Sequence, residues 1–189
     1  MCLGSRATPR IPTDKEHIEH KYLVLKEAWK PSTSGVLYRQ GYLSSTKQRV
    51  VRVRIAGDRA YLTVKAPTTG VTRLEFEYPI PIDDAATMLE HLCERPPIEK
   101  TRYREEFEGH RWEIDEFHGD NSGLVLAEIE LANDSEKFAV PSWAAAEVSD
   151  DPRYFNSNLV LNPSRIGRHK RAALANPKNG GRRMMLLVY

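Results

Sequence analysis

Between residues 16 and 131 charged and apolar side chains alternate with period 2, and the charged positions often repeat one sign, as in Arg52/Arg54 and Glu128/Glu130. Side chains at i and i+2 of a strand share a face, so each such pair gathers like charge on one side of a sheet. A fold that tolerates this must bring opposite charge from neighbouring strands or accept a ligand. The period itself excludes a helical bundle over this span, because helices bury apolar residues every three or four positions.

The alternating runs predict strands at His17 to Leu25, Val36 to Leu43, Arg49 to Ile55, Ala60 to Lys65, Arg73 to Ile80, Ile98 to Phe107, Arg111 to Phe117 and Leu124 to Leu131. Ala-Gly-Asp-Arg at 56 to 59 and Glu-Gly-His at 108 to 110 read as tight hairpin connections, which makes those neighbours antiparallel. Asp83 and Asp84 before Ala85, Ala86, Met88, Leu89 and Leu92 predict a helix with an acidic N-terminal cap. A second helical stretch is expected after Asp151-Pro152, where proline suits a first turn. Eight short antiparallel strands with a few helices suggest an α+β, mainly β fold, a closed antiparallel barrel that removes exposed edges.

One face of these strands carries Glu19, Lys21, Arg52, Arg54, Lys65, Arg73, Glu75, Glu77, Lys100, Arg102, Arg104, Glu113, Asp115, Glu128 and Glu130. The other carries apolar residues such as Tyr22, Val24, Val53, Leu62, Trp112, Ile114 and Ile129. Periodicity leaves open which face is inside. An antiparallel sheet with its charges in water and a charged-lumen barrel both satisfy it.

At 189 residues the chain is expected to form one domain. It has no run of about 18 to 20 apolar residues and no N-terminal signal pattern, which predicts a soluble, cytoplasmic protein without a membrane partner. Cys2 and Cys93 lie far apart without metal-ligand spacing, so neither a disulfide framework nor a zinc site is expected. The formal charge of +2 is misleading as a sign of nucleic-acid binding. Seven lysines and arginines lie beyond residue 163 with no acid among them, and with these set aside 21 basic residues face 26 acidic ones. A nucleic-acid partner is therefore not expected. Residues 1–15 read as a flexible N-terminal segment, and 163–189, with Asn-Pro-Lys-Asn-Gly-Gly in their middle, as a basic disordered tail.

Nine local strings then follow in order. They are His17-Ile18-Glu19-His20-Lys21-Tyr22-Leu23-Val24, Tyr38-Arg39-Gln40-Gly41-Tyr42-Leu43, Val51-Arg52-Val53-Arg54, Leu62-Thr63-Val64-Lys65, Arg73-Leu74-Glu75-Phe76-Glu77, Glu99-Lys100-Thr101-Arg102-Tyr103, Glu113-Ile114-Asp115-Glu116-Phe117, Glu128-Ile129-Glu130, and Glu147-Val148 with Arg153-Tyr154. Together, over residues 16–162, they resemble the CYTH superfamily, the triphosphate tunnel metalloenzymes, and most of all its compact bacterial inorganic triphosphatases. The resemblance implies an eight-stranded antiparallel tunnel with inward charges, closed at one end by a C-terminal helix, and metal-dependent hydrolysis of tripolyphosphate to pyrophosphate and phosphate. One position departs from the family's Glu-x-Glu-x-Lys opening, since His17 stands where its first glutamate belongs. Glu16 beside it would point to the opposite face unless a bulge shifts the register.

On that resemblance Lys21, Arg52, Arg54, Lys65, Arg73, Lys100 and Arg102 would surround the triphosphate, the arginines offering forked hydrogen bonds to its oxygens, with Arg153 adding a contact from the C-terminal helix. Glu19, Asp115, Glu128 and Glu130, with His17, would hold Mg²⁺ or Mn²⁺, because a hard cation needs several converging oxygen donors. A neutral imidazole at 17 brings no negative charge, so weaker Mg²⁺ binding, greater tolerance of Mn²⁺ or reduced activity is expected. Lys100 would handle a proton or clamp phosphate, and Glu19 would serve catalysis through the metal. Nucleoside or thiamine triphosphate hydrolysis, cyclisation of ATP, and polyphosphate or nucleotide binding without turnover remain alternatives. The protein is expected to be a monomer or homodimer.

Overall fold

The computed structural model describes residues 18–46, 49–66, 75–94, 97–133 and 135–161. Within them the alternating runs form one antiparallel sheet of nine strands: β1 (Ile18–Val24), β2 (Val36–Thr46), β3 (Arg49–Ala56), β4 (Arg59–Lys65), β5 (Glu75–Ile80), β6 (Ile98–Phe107), β7 (His110–Phe117), β8 (Val125–Leu131) and β9 (Ala144–Glu147). Their order across the sheet is β5-β4-β3-β2-β6-β7-β8-β1-β9. Both expected hairpins are present. Gly57 and the Glu108-Gly109 pair adopt positive φ, at 60°, 48° and 79°, which lets two-residue loops match the twist of the flanking strands.

Two expectations about the sheet are revised. The ninth strand, β9, is only four residues of Ala-Ala-Ala-Glu and has no alternation to betray it; it pairs with the outer side of β1. Among the described residues β5 and β9 are the two edges, with no ladder between them, so the described sheet is open. The helices also differ in detail. α1 (Ile82–His91) begins after Pro81, and Asp83 and Asp84 sit in its first turn without capping it by a side-chain hydrogen bond. There they favour the helix only through its dipole. Asp151 does cap, accepting from the Arg153 N–H, a single 3₁₀ turn at Pro152–Tyr154 that leads into α2 (Asn156–Leu161).

Register decides which face is enclosed. The cross-strand partners Glu19↔Glu130, Lys21↔Glu128, Glu113↔Glu128, Arg102↔Asp115, Tyr38↔Lys100, Gln40↔Arg54, Arg52↔Thr63 and Thr63↔Glu77 put polar and charged side chains of eight strands on one face. On that same face Leu23 of β1, Tyr42 of β2, Ile98 of β6, Phe117 of β7 and Leu126 of β8 form one buried cluster with Tyr154, Leu159 and Val160. Strands lie about 4.8 Å apart, so β2 and β1, four places apart, would be roughly 19 Å from each other in a flat sheet. These five strands share one buried cluster with Tyr154 and the short helix because the sheet curls with the charged face inward. Lys100 and Asp115, 2% and 1% exposed, lie on the concave side.

The opposite, apolar face is not left in water. Val53 and Ala60, with Leu62 and Ile55, are covered by Ala85 and Leu89 of α1. Gly41 belongs here, because a Cβ on it would come within 2.8 Å of the Cys93 Cβ and 3.1 Å of Leu89, so the helix seats only on a bare backbone. Farther round, Tyr22, Trp112, Ile114, Ala127 and Ile129 are covered by Trp29, Phe138 and Trp143 from the connecting segments. Trp112 and Trp143 meet edge to face at 5.4 Å, so these tryptophans pack the outer layer. Among the described residues no helix is long and apolar enough to cross a membrane. Leu159 is fully buried in the inner cluster, and Leu159→Ala is expected to lower stability by about 3 kcal/mol in urea unfolding, the usual loss for a leucine truncated in a core that only partly relaxes.

Candidate active site

Each charged side chain on the concave face is placed by the strand period, and the ion pairs run within a strand or reach one or two strands away. Lys21 on β1 reaches Glu128 on β8 at 2.9 Å and Glu19 two residues before it at 3.3 Å. Arg102 on β6 forks onto Asp115 of β7, with Nε to Oδ1 and Nη2 to Oδ2 both at 2.6 Å, and also touches Glu128 at 2.9 Å and Glu113. Lys100 donates to the same Oδ2 of Asp115 and lies 5.5 Å from the centre of the Phe117 ring. Arg104 reaches Glu113 at 3.1 Å. This network spans four strands and is the acid-rich side of the face.

A second, cation-rich network lies on β3, β4 and β5. Arg54 donates to Glu77 at 2.9 Å, Arg52 contacts the Thr63 hydroxyl at 3.3 Å, Thr63 in turn donates to Glu77 at 2.9 Å, and Lys65 pairs with Glu75 at 2.8 Å. Tyr38 stands between the two networks, with the Arg54 and Arg102 guanidinium carbons 5.8 and 5.4 Å from its ring centre. The Nε groups of Arg52 and Arg54 and the Nε2 of Gln40 are buried without a protein acceptor. Buried donors are normally satisfied, so three orphans on one concave face mark a place where an anion would be held.

Electrostatics follow from this crowding. Burial works against the charge on Lys21, but Glu128 and Glu19 outweigh it and hold its ammonium above the ordinary range. Burial likewise opposes ionised Glu128, yet Lys21, Arg102 and Lys100 pull its carboxyl well below the ordinary range. Glu19 moves the other way: burial and the negative charge of Glu128 push it up. Burial, aided by Arg102 and opposed by Asp115, pushes Lys100 down. Burial and then Arg54 push Arg52 down. Glu19 and Arg52 are thus two groups on this face in which the effect of burial is reinforced by a like charge, Glu128 and Arg54 respectively.

Of the residues singled out in the sequence, Glu19, Lys21, Arg52, Arg54, Lys65, Lys100, Arg102, Asp115, Glu128 and Glu130 share the concave face. His17 and Arg73 lie outside the described residues. Arg153 is elsewhere: it is exposed and its Nε forks onto Asp151 at 2.8 and 2.9 Å. Among the described residues no three His, Cys, Asp or Glu side chains converge as a metal-ligand cluster, because Lys21 and Arg102 stand between the carboxylates. The donor set still suits a hard divalent ion. It is all carboxylate, Glu19 faces Glu130 directly across one strand boundary and Glu128 is next to it. Tyr38, Gln40 and Thr63 also line the face and were not picked out from the sequence, since uncharged residues give no signal in a charge alternation.

A CYTH domain model matches residues 15–155 of the chain. The chain is 54% identical over 148 residues to an inorganic triphosphatase of Acetivibrio thermocellus, covering 78% of this chain and 95% of the relative. It is 35% identical over 150 residues to an inorganic triphosphatase of Nitrosomonas europaea, covering 76% of this chain and 96% of that one. The crystal structure of the inorganic triphosphatase NE1496 superposes with a TM-score of 0.60 at 32% identity, over 77% of this chain and 95% of that chain.

Acid should test the network directly. A carboxyl depressed in the fold stabilises it above the unfolded value and ceases to do so as pH falls below that value, 4.5 for Glu128. Glu128→Gln is expected to cost about 3 kcal/mol at pH 7, where it leaves buried cations short of one partner. Urea unfolding followed from pH 7 to pH 3.5 should show the difference between wild type and variant shrinking below about pH 4.5, as the Glu128 carboxyl of the unfolded chain takes up a proton that the folded one still refuses.

Proposed function

The chain belongs to the CYTH family, and on that premise we propose that it hydrolyses inorganic triphosphate to pyrophosphate and phosphate with the help of Mg²⁺ or Mn²⁺. One observation carries this function: one concave face bears both the buried, unpartnered Nε groups of Arg52 and Arg54 and the carboxylates of Glu19, Glu128 and Glu130. A polyanion with several divalent-metal contacts satisfies both halves at once. The relatives named as inorganic triphosphatases supply the reaction and the substrate. The curvature that brings β1, β2, β6, β7 and β8 onto α2 supports closure of the sheet into a tunnel around the substrate, with residues 16–162 as the folded unit.

Arg52, Arg54, Lys65, Arg102 and Lys21 hold the phosphate oxygens, and Arg73 would join them. Phosphoryl transfer needs positioning and charge neutralisation more than covalent chemistry, and a row of fixed cations meets that need. Glu19, Glu128, Glu130 and Asp115, with His17, would hold the divalent ion, which when bound neutralises charge on the phosphoryl oxygens. Water attacks the terminal phosphorus, the bridging P–O bond breaks, and pyrophosphate leaves with the bond electrons. Lys100 is placed to move the proton: it is fully buried, burial pushes it down, and it touches only Asp115 and the Phe117 ring among the groups described around its Nζ.

Purified protein given tripolyphosphate with Mg²⁺ or Mn²⁺ is expected to release phosphate in a colorimetric assay, EDTA to stop it, and Glu130→Gln to lower kcat by about two orders of magnitude or more. ATP and thiamine triphosphate assayed beside it should turn over more slowly; equal or faster turnover of either would assign the enzyme to that substrate. Lys100→Arg keeps the charge but cannot titrate near neutrality. It should lower kcat by about 10²-fold or more while KM changes little, and an unchanged kcat would reduce Lys100 to a phosphate clamp.

A further inference from the structure

Gln40 is the one uncharged polar side chain on β2 that faces the concave side, and it is 1% exposed. Its Cα partners are Arg54 on β3 and Ile98 on β6. Ile98 belongs to the apolar cluster around α2, and Arg54 to the cation-rich network, so Gln40 sits where the two meet. Its Nε2 is buried without any hydrogen-bond partner, beside the orphan Nε groups of Arg52 and Arg54. A buried donor with no acceptor destabilises a fold, and methionine would fill the same space without that penalty. A third cation here would be worse still, since burial and Arg54 already push Arg52 down. An amide adds donors without adding charge.

We infer that Gln40 is a substrate-binding residue of this site, donating its amide N–H to a phosphate oxygen at the border between the cations and the apolar filling, and that it sets affinity for the triphosphate rather than the rate of its hydrolysis. The inference rests on the function proposed above and extends it to a residue that neither charge nor metal chemistry would select. The opposite signs of its two consequences separate it from a packing role. Removing the amide should weaken substrate binding and leave the ligand-free fold as stable or more stable, whereas a packing residue would lose stability first.

The test compares wild type with Gln40→Met and Gln40→Glu. With tripolyphosphate as substrate, Gln40→Met is expected to raise KM about tenfold, the loss of one hydrogen bond to a charged group, with kcat within about threefold of wild type. Its Tm without ligand should equal or exceed that of wild type. Gln40→Glu should raise KM further, because a carboxylate repels the phosphates. An unchanged KM in Gln40→Met overturns the inference, and so does a lower Tm in that variant, which would make the side chain a packing element. A wild-type protein that releases no phosphate from tripolyphosphate, ATP or thiamine triphosphate rejects the proposed hydrolysis instead. Gln40 is then judged by the Tm shift that tripolyphosphate produces: a shift in wild type that Gln40→Met loses supports the assignment, and an equal shift in both, or none in either, overturns it.

Discussion

The structure depends on the pairing of Arg102 and Lys21 with Asp115 and Glu128 across β1, β6, β7 and β8. Charges on a concave face cannot all keep their water, and a buried ion left alone costs several kcal/mol. Putting Arg102 between two acidic strands, and a lysine of β1 against a glutamate of β8, lets the sheet curl without stranding any of them. The like-charged pairs that look repulsive along one strand are neutralised sideways, strand by strand. Binding a polyanion and a divalent cation would then exchange partners within an array that is already balanced overall.

This lateral neutralisation explains which parts were legible in the sequence. Parity grouped the residues of β1, β3, β4, β6, β7 and β8 that share the concave face, because on those strands one face is mostly charged and the other mostly apolar. It failed on β2. There the only charged residue, Arg39, points outward to Glu99 at 3.2 Å, while Tyr38 and Gln40 point in. Charge marked the wrong face, and the strand's contribution stayed hidden until register with β6 placed it. Arg153 misled for a local reason: the carboxylate that caps its own 3₁₀ turn captures its guanidinium. The extra strand β9 escaped notice because four residues with a run of alanine carry no period.

Both faces of the sheet are largely covered, and that is why alternation could not by itself tell inside from outside. Much of the convex face is covered by α1 and by aromatic residues of the connecting segments, while Phe76 and Tyr78 of β5 stay exposed, and the concave face is covered by its own ion pairs and, at one end, by α2. Which of them is the interior follows from curvature, a property of five strands converging on Leu159 and Tyr154 rather than of any single one. Helix α2 owes its position to Asp151 and Pro152, which turn the chain, and to apolar residues at the bordering level of the strands that accept it.

The pairing of β1 with β8 joins residues more than a hundred positions apart, from Ile18↔Leu131 to Leu23↔Leu126. On a ribosome the first strand therefore emerges long before either of its neighbours, β8 and β9, exists, and Lys21 must wait in solvent until Glu128 is made. Closing so large a loop is entropically slow, so the charged wall assembles after synthesis of nearly the whole domain instead of growing with it. The hydrophilic half of each strand would keep that waiting chain dissolved, which gives the same residues a role in biogenesis before they have one in chemistry.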